Sequence, residues 1–521
     1  MLVWALAAGG CMVGPDYKSP EVTVANQYLE AQQPSVDAKK QQYEAWWRVF
    51  NDPVLDHLVD IAYNQNLNLI AAGTRVLQAR AELGVAIGEF YPQTQHGTGS
   101  LIYSRQSHAD VTATPQSQLA NFWRDSLGLS VAWELDFWGK FRRAIQAADA
   151  GYLASIAAYD DALVTLLGDV ASTYIGIRTL QTRIAIAQDN IVKQKQALAI
   201  AESRYHGGVA TKLDVYQAEN VLGQTEASVP QLTAQLKQGE SALRVLLGMA
   251  PQPLDDLLRG PQTIPVPPAE IAVGIPADLV RRRPDIRAAE LAAMAQSAEI
   301  GIAEADLYPA FSLFGTFSGV ASDINGNMLN QMFWGKGLSF AFGPSFTWNI
   351  LNYGQITNQV RVQDAKLQEL LVDYQNSVLT AQKQVEDGLA GFLEGRKQVD
   401  DLRASVAAAN AALGLAFIQY RLGTRDFTTV LTAEQNLYTA ENDLATAEGN
   451  VATALAAVYK ALGGGWQIRD NHEFVPAQTV EEMRSRTNWG SLLPAPGVAA
   501  PRPAPLPTPA DVSAKPRLPE W

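Results

Sequence analysis

Five histidines and a single cysteine are the side chains of this sequence best suited to bind a metal or act as a nucleophile. The histidines lie far apart in the chain, at His57, His96, His108, His206 and His472. None forms the HExxH pair of a metalloprotease, and neither a phosphate-binding glycine loop nor a nucleophile elbow accompanies them. We therefore expect a protein that is not an enzyme, with no catalytic residue, metal site or cofactor.

The cysteine, Cys11, directly follows an apolar run that ends in the small residues Ala8, Gly9 and Gly10. This pattern is typical of the end of a secretory signal and resembles a bacterial lipobox, although Ala8 replaces the usual leucine and a charged n-region is missing. We expect residues 1–10 to be the remainder of a signal peptide, a translation start further upstream, and an acyl lipid on Cys11. A degenerate start with an incidental cysteine is the alternative.

The net charge of −13 and a pI near 5.0 argue against a nucleic-acid partner, because no block rich in Lys and Arg interrupts the acidic balance. After the N-terminal run, no segment reaches the ~18 uninterrupted apolar residues of a transmembrane helix. We therefore expect no membrane-spanning helix.

Two long stretches repeat an apolar residue at every seventh position. In the first these are Leu163, Val170, Ile177, Ile184, Ile191, Leu198 and Tyr205, and 215 residues later the same phase gives Val378, Val385, Phe392, Val399, Val406, Leu413 and Tyr420. A strict heptad without proline predicts a left-handed supercoiled helix. The polar flank of the first stripe, at positions 181, 188, 195 and 202, fits either the solvated face of a two-helix bundle or a water-filled tunnel.

Shorter helices should flank each coil. We expect one helix over residues 52–89, stopped by Pro92, and its counterpart over residues 276–307, stopped by Pro309. The first coil should turn at Gly207 and Gly208. Its return helix, residues 212–247, contains Pro230, which predicts a helix in two pieces.

Between each short helix and its coil the sequence changes to an alternating period. Residues 126–135 alternate strictly, with Leu127, Leu129, Val131, Trp133 and Leu135 on one face, and residues 96–106 should be the partner strand. Residues 311–321 and 338–350 form the equivalent pair in the second half. The apolar face of the last strand holds Leu338, Phe340, Phe342, Phe346, Trp348 and Ile350.

A constant offset of 215 residues relates the two halves, for example Trp133 to Trp348 and Gly139 to Gly354. We predict a tandem duplication of helix, strand pair and long helical hairpin. The predicted segments are 1–10 (signal remnant), 11–50 (lipidated leader), 51–250 (first repeat), 251–275 (proline-rich connector), 276–466 (second repeat), 467–492 (C-terminal segment) and 493–521 (disordered Pro/Ala-rich tail).

Four strands are too few to close a barrel, which needs ~8, and open apolar strands are an aggregation hazard. We therefore predict a mainly α fold with membrane β-strands, in which several copies complete one barrel. Its aromatic girdle at the membrane interface would contain Tyr91, Trp133, Trp138, Tyr308, Trp348 and Tyr353. The edge of a soluble β-sandwich is the alternative, but the coils leave no second sheet to cover the apolar face.

Several motifs spread along the chain resemble those of the TolC-like outer-membrane efflux factor family, in particular its OprM- and NodT-type lipoproteins. They are CMVGPDYKSP, the Tyr-x-x-Gly turns at Tyr205 and Tyr420 with LDVYQAEN after the first, IPADLVRRRPDI, and AVYKALGGGW near the end. The resemblance implies a homotrimer with a twelve-stranded barrel in the outer-membrane lipid of a Gram-negative bacterium, extended by an α-helical barrel into the periplasm. It also implies passive conduction of drugs or other small molecules, with a periplasmic adaptor (membrane fusion) protein and an inner-membrane RND-type pump.

In this family, polar links beside the coil tips hold the closed state. The matching positions here are Asp214, Tyr420 and Arg425, so replacing Tyr420 by Phe together with Arg425 by Ser should loosen the periplasmic end. Thr429 and Thr432 stand where TolC carries aspartates, and strong cation selectivity at the tip is therefore not expected to carry over. Alternatively, Tyr205 and Tyr420 merely close the last heptads.

Other functions compete with efflux. The duct of a type I protein secretion system belongs to the same class, and the sequence does not separate the two. A trimeric adhesin would place its strands in one C-terminal block, whereas a periplasmic adaptor would have one hairpin and no duplication.

Overall fold

The computed structural model describes residues 12–33, 36–37, 43–105, 121–274, 276–323, 329–470 and 472–493. The predicted acylation site, Cys11, lies outside the described residues, as does the predicted tail beyond Leu493. In the described part of the chain the helices are α1 (Pro53–Gln65), α2 (Leu67–Glu89), α3 (Lys140–His206), α4 (Lys212–Leu246), α5 (Pro276–Arg282), α6 (Pro284–Ala305), α7 (Gln355–Arg421), α8 (Phe427–Ala461) and α9 (Ala477–Arg486). The strands are β1 (Val36–Asp37), β2 (Thr94–Arg105), β3 (Asn121–Glu134), β4 (Ile271–Ala272), β5 (Ala310–Ser322) and β6 (Leu338–Thr347).

The two helical hairpins have the same dimensions. Helices α3 and α7 contain 67 residues each, and α4 and α8 contain 35 each. At ~1.5 Å per residue, the longer pair are rods of ~100 Å, as the heptads predicted. Each rod follows a glycine in the left-handed region, Gly139 (φ 81°) and Gly354 (φ 83°), where a side chain would be strained.

Two large hydrophobic clusters occupy most of the length of these rods. The upper core, on the side of the β-sheet, includes Trp46, Leu163, Tyr174, Phe392 and Leu455. There α6 packs against both α3 and α7, and α2 packs against α3. The tip, at the opposite end, is the cluster around Ala201, Val215, Leu413, Tyr420, Phe427 and Val430. In the tip half α3 lies between α4 and α8, and α8 lies between α3 and α7.

The two predicted short helices are each broken in the structure, so the prediction of single helices was wrong. The first is interrupted at Asn66, whose side chain accepts a hydrogen bond from the Leu69 N–H and caps α2. The second is interrupted at Arg283, because the residue before a proline avoids the helical conformation. At both breaks the side chain also hydrogen-bonds to the last residue of a return helix. Asn66 donates to the carbonyl of Leu246 at the end of α4, and Arg283 donates to the carbonyl of Ala461 at the end of α8.

The expectation that Pro230 splits the first return helix was also wrong, because α4 continues through it. Proline removes one hydrogen bond of the helical ladder. Packing along α4 offsets this loss: Leu222 and Leu232 are buried on either side of Pro230, and the Ser228 hydroxyl lies 3.0 Å from the Tyr438 hydroxyl on α8.

One helix among the described residues, α7, is by length and composition long and apolar enough to cross a membrane. The prediction of no such segment considered only uninterrupted apolar runs. Residues 404–420 of α7 carry no charge and are rich in alanine. They belong to the tip half of the rod, where Leu413, Ala416 and Tyr420 are buried against other helices.

The main sheet is antiparallel throughout, with the strand order β2-β3-β5-β6. Both predicted strand pairs are present, although β3 begins at Asn121, earlier than predicted, and β6 ends at Thr347, before Trp348 and Ile350. The pairing of β3 with β5 joins the two repeats into one sheet. Strands β2 and β6 form its edges.

Candidate functional site: the sheet and the helical tip

The two faces of the sheet differ in chemistry. Side chains on one face are apolar and stand uncovered in the single chain, among them Leu129, Phe317, Phe340 and Phe342. The opposite face carries hydroxyl groups. Those of Ser100 and Ser126 lie 2.8 Å apart, as do those of Ser318 and Ser339. The alternating pattern of the sequence therefore corresponds to one apolar and one hydroxyl-lined face.

The predicted girdle residues Tyr91, Trp133, Trp138, Tyr308, Trp348 and Tyr353 all lie where the helices meet the sheet. Three indole N–H groups donate to backbone carbonyls there: Trp133 to Phe90, Trp138 to Pro309 and Trp348 to Leu307, at 2.9–3.2 Å. Trp138 also stacks on Tyr308, with ring centroids 4.6 Å apart. Indole rings with a satisfied polar edge suit the boundary between lipid and water.

A second aromatic level, which the sequence interpretation missed, lies at the other end of the sheet. Tyr103 pairs with Trp123, with ring centroids 5.2 Å apart, and the exposed Trp334 lies near this end. Trp123 and Trp133 are ten residues apart on β3, which is ~33 Å along the strand, or ~25 Å in height at a tilt of ~40°. These aromatic residues are visible in the sequence, but only the register of β2 against β3 shows that Tyr103 and Trp123 lie side by side.

The described part of the chain begins beside the predicted girdle, at Trp138. The Val13 N–H donates to the Trp138 carbonyl at 3.0 Å. Arg143 of α3, itself buried, donates to the carbonyls of Val13 and Gly14 and pairs with Asp16 at 3.0 Å. Residues 12–16 are therefore fixed where helix α3 leaves the sheet.

In the tip, the ring of Tyr420 is held by an arginine of the other hairpin. The Arg204 guanidinium lies over this ring, 4.5 Å from its centroid, and donates to the Tyr420 carbonyl at 3.0 Å. The Tyr420 side chain is buried, and burial raises the pKa of its hydroxyl, which has no hydrogen-bond partner among the described residues. Arg204 was not predicted, because the position equivalent to it in the second repeat is Gln419 and no motif marks it.

The other predicted gate residues cap helices or lie on the surface. Asp214 accepts from the Thr211 N–H at 3.1 Å and so closes the capping box of α4. Thr429 donates from its hydroxyl and N–H to Asp426, and these bonds hold the pKa of that carboxyl below its usual value, with a smaller effect from Arg425. Arg425 itself is exposed.

A groove between α7 and α8 runs along one face of the tip. Alanines of α7 form one wall, and the other wall contains Asp426, Thr429, Thr432 and Asn436 of α8. The structure thus brings Thr429 and Thr432 together in one groove, whereas Asp214 lies on the neighbouring helix α4 and outside the groove lining. The groove is lined by hydroxyl and amide groups, with carboxylates at Asp426 and Asp443.

The sequence matches the model of a family described as outer membrane efflux protein over residues 58–249 and 275–464. The chain belongs to the outer membrane efflux protein family.

Curated relatives and solved structures match this chain over most of its length and over most of their own. The solvent efflux pump outer membrane protein SrpC of Pseudomonas putida is 30% identical over 473 residues, which are 89% of this chain and 98% of the relative. Nodulation protein T of Rhizobium leguminosarum bv. trifolii is 29% identical over 436 residues, 83% of this chain and 90% of that protein. The solved structure of the outer-membrane channel OprN has a TM-score of 0.81 at 32% identity and covers 88% of this chain and 100% of its own.

This efflux protein is therefore a TolC-like outer-membrane channel, and the resemblance seen in its motifs is confirmed. The aromatic sheet is the part of such a channel that meets the outer membrane, and the long helices extend from it into the periplasm. The candidate functional features of this chain are thus the aromatic sheet at one end and the helical tip at the other.

Proposed function

We propose that three copies of this efflux channel form a homotrimer with one closed, twelve-stranded barrel. The observation that carries the proposal is a four-stranded sheet with two open edges and an uncovered apolar face. A membrane barrel removes sheet edges and turns its apolar face to lipid. The face with paired serines would then line an aqueous passage.

Both aromatic levels then have a function as membrane boundaries. A separation of ~25 Å equals the height of the apolar band of an outer-membrane barrel. The predicted girdle becomes the periplasmic level, and Tyr103, Trp123 and Trp334 become the external level. An acyl chain on Cys11 would enter the inner leaflet directly beside the periplasmic level, because the adjacent residues Met12 and Val13 are fixed at Gly139 and Trp138.

The function we propose is passive conduction of small molecules in a tripartite efflux system. SrpC is named as the outer membrane protein of a solvent efflux pump, and by extension we expect an inner-membrane RND-type pump and a periplasmic adaptor protein here. The channel wall supplies no energy. Its contribution is a hydroxyl-lined passage and a tip that can be opened.

The tip is proposed as the periplasmic gate, with Arg204 and the ring of Tyr420 as its principal contact within one chain. This contact joins the last turns of α3 and α7, so it must break if the two hairpins move apart. A cation–π contact and a charge-assisted hydrogen bond are directional and together contribute about 2 kcal/mol, which suits a closure that must reopen. Asp214, Arg425, Thr429 and Thr432 surround this contact as helix caps and groove lining.

Two substitutions on one strand test the barrel. Phe342→Arg places a charge on the proposed lipid face of β6, whereas Ala341→Arg places the same charge on the opposite face. Because a mid-membrane arginine costs about 2–4 kcal/mol per copy, we expect the Phe342 variant to lose assembly into membranes and the Ala341 variant to retain it. Native mass spectrometry of the purified protein should show three chains for the parent and for Ala341→Arg. A monomer, or equal assembly of both variants, would contradict the proposed barrel.

A further inference from the structure

A buried carboxylate in the tip has no partner. Glu434 of α8 is 2% exposed, and neither of its carboxylate oxygens accepts a hydrogen bond in the described part of the chain. Gln194 of α3 is 3% exposed, and both polar atoms of its side chain also lack a partner there. Unpaired buried polar groups are rare and costly, and each one requires a physical explanation.

The register of α3 and α8 places these two side chains at the same level. Thr179 packs against Gly449 where the antiparallel helices approach closely. Fifteen residues further along each helix, in opposite directions, lie Gln194 and Glu434. One helical turn on either side of Glu434, Val430 and Leu437 are buried in the apolar cluster of the tip, as is Ala197 one turn after Gln194.

The charged groups near this level have other partners or face solvent. On α3, Lys195 pairs with Glu226 of α4 at 3.0 Å, and Lys193 pairs with Asp189 at 2.6 Å. On α8, Glu441 accepts from Asn190 at 2.7 Å, and Asp426 caps its own helix. Glu219 of α4 is exposed, and α7 has no charged residue from 404 to 420. Among the residues that the structure describes, no cation therefore compensates a negative charge on Glu434.

We propose that Glu434 is a proton-binding site of the closed tip, so that binding or release of this proton couples the packing of the tip to periplasmic pH. A protonated carboxyl can donate one hydrogen bond, to Gln194 or through a buried water, and it avoids the cost of a buried unpaired charge. A loosened tip admits water, so that the Glu434 carboxylate can ionise there without this cost. The inference deepens the gate proposed above and relies on it only for its functional meaning.

The sign of the coupling follows from the direction of the pKa shift. Burial raises the pKa of Glu434 from 4.5 to about 7 in the packed tip. The packed state therefore binds the proton more tightly than a hydrated one, and its stability is complete below pH 4.5 and declines as the pH rises towards about 7. A shift of this size changes the equilibrium between packed and loosened tips on the order of 100-fold.

Hydrogen exchange of the full-length trimer, followed by mass spectrometry of peptides from residues 190–201 and 427–437, tests the proposal. The variant Glu434→Gln is neutral at every pH and should protect these peptides at pH 7.5 on the order of 100-fold better than the parent, but only several-fold better at pH 5. Comparison at equal pH removes the intrinsic pH dependence of exchange. Glu434→Met, which has no ionisable group, should show the same loss of pH dependence if the glutamine variant does not fold.

Glu441→Gln is the matched control, because Glu441 lies one heptad further along α8 but already accepts a hydrogen bond from Asn190. It should keep the pH dependence of the parent. Equal protection of the parent and Glu434→Gln at pH 7.5, or the same effect from Glu441→Gln, would overturn the proposal. Conductance of the same samples separates the proton site from the gate. If hydrogen exchange responds to pH but conductance does not, the proton site is supported and the gate is refuted.

Discussion

The upper core and the tip are built from the same four long helices, but they differ in whether their buried charged groups have partners. In the upper core the buried charged groups are paired, although the Trp46 indole N–H has no partner among the described residues. Arg469 binds Asp160 through two hydrogen bonds, and the guanidinium of Arg178 donates to the Tyr174 hydroxyl, which donates to Asp52. In the tip, Glu434, Gln194 and the Tyr420 hydroxyl have no partner among the described residues. A buried charge that is held by its partners favours one arrangement, whereas an unpaired one destabilises the packed state. The difference marks the upper core as the fixed part and the tip as the movable part.

The largest effect should come from breaking the pairing of the upper core. Arg469→Ala leaves Asp160 buried without its cation, and we expect a loss of about 3–5 kcal/mol in the free energy of unfolding. Thermal unfolding of the detergent-solubilised trimer measures this loss. Lys397→Ala, which removes an exposed pair with Glu394, is the control and should leave the melting temperature nearly unchanged. Similar melting temperatures for both variants would remove the distinction between the two regions.

An effect of similar size, but confined to the tip, should follow from removing the ring of Tyr420. Tyr420→Ala takes away an aromatic side chain that packs against Phe427 with ring centroids 5.0 Å apart and lies under Arg204. Truncating a buried aromatic residue costs about 3–5 kcal/mol, but here we expect faster hydrogen exchange in the tip with protection of the upper core unchanged. Uniform loss of protection along the rods would show that the two regions unfold as one unit.

The smallest effect should come from the Tyr420 hydroxyl. Since this hydroxyl has no partner among the described residues, Tyr420→Phe should change tip protection by less than about 0.5 kcal/mol. The combination with Arg425→Ser should loosen the tip less than the loss of the Tyr420 ring. If the double variant opens the channel as fully as Tyr420→Ala, the closing contacts of the tip involve the hydroxyl and Arg425 across subunits.

The sequence predicted the large features because each has a period or an offset. The heptads defined α3 and α7, strict alternation defined β3 and β6, and the offset of 215 residues showed the duplication. It failed at Asn66, Arg283 and Pro230, where a cap, a following proline or tertiary packing decided whether a helix breaks. Those decisions depend on contacts with helices distant in sequence, such as the bond from Asn66 to the Leu246 carbonyl.

At the tip, the sequence identified Tyr420 through its turn motif but not the residues that surround it. Arg204 and Glu434 are single polar residues in long helices, where a charge usually faces solvent. Only the register of α3 against α7 and α8 shows that one covers a ring and the other is buried. The other repeat does not indicate these roles either, because Gln419 is the equivalent of Arg204 and the exposed Glu219 is the equivalent of Glu434.

Single-channel conductance in planar bilayers tests the central claim, that the tip closes this channel, most directly. Arg204→Gln introduces the residue found at the equivalent position of the second repeat and removes the contact with Tyr420. Arg421→Gln, which removes an exposed positive charge beside the same turn, is the matched control. A loss of about 2 kcal/mol predicts at least about a tenfold rise in open-state occupancy for Arg204→Gln, with the parent and Arg421→Gln remaining closed. An intact Arg204→Gln trimer that stays as closed as the parent would contradict the account.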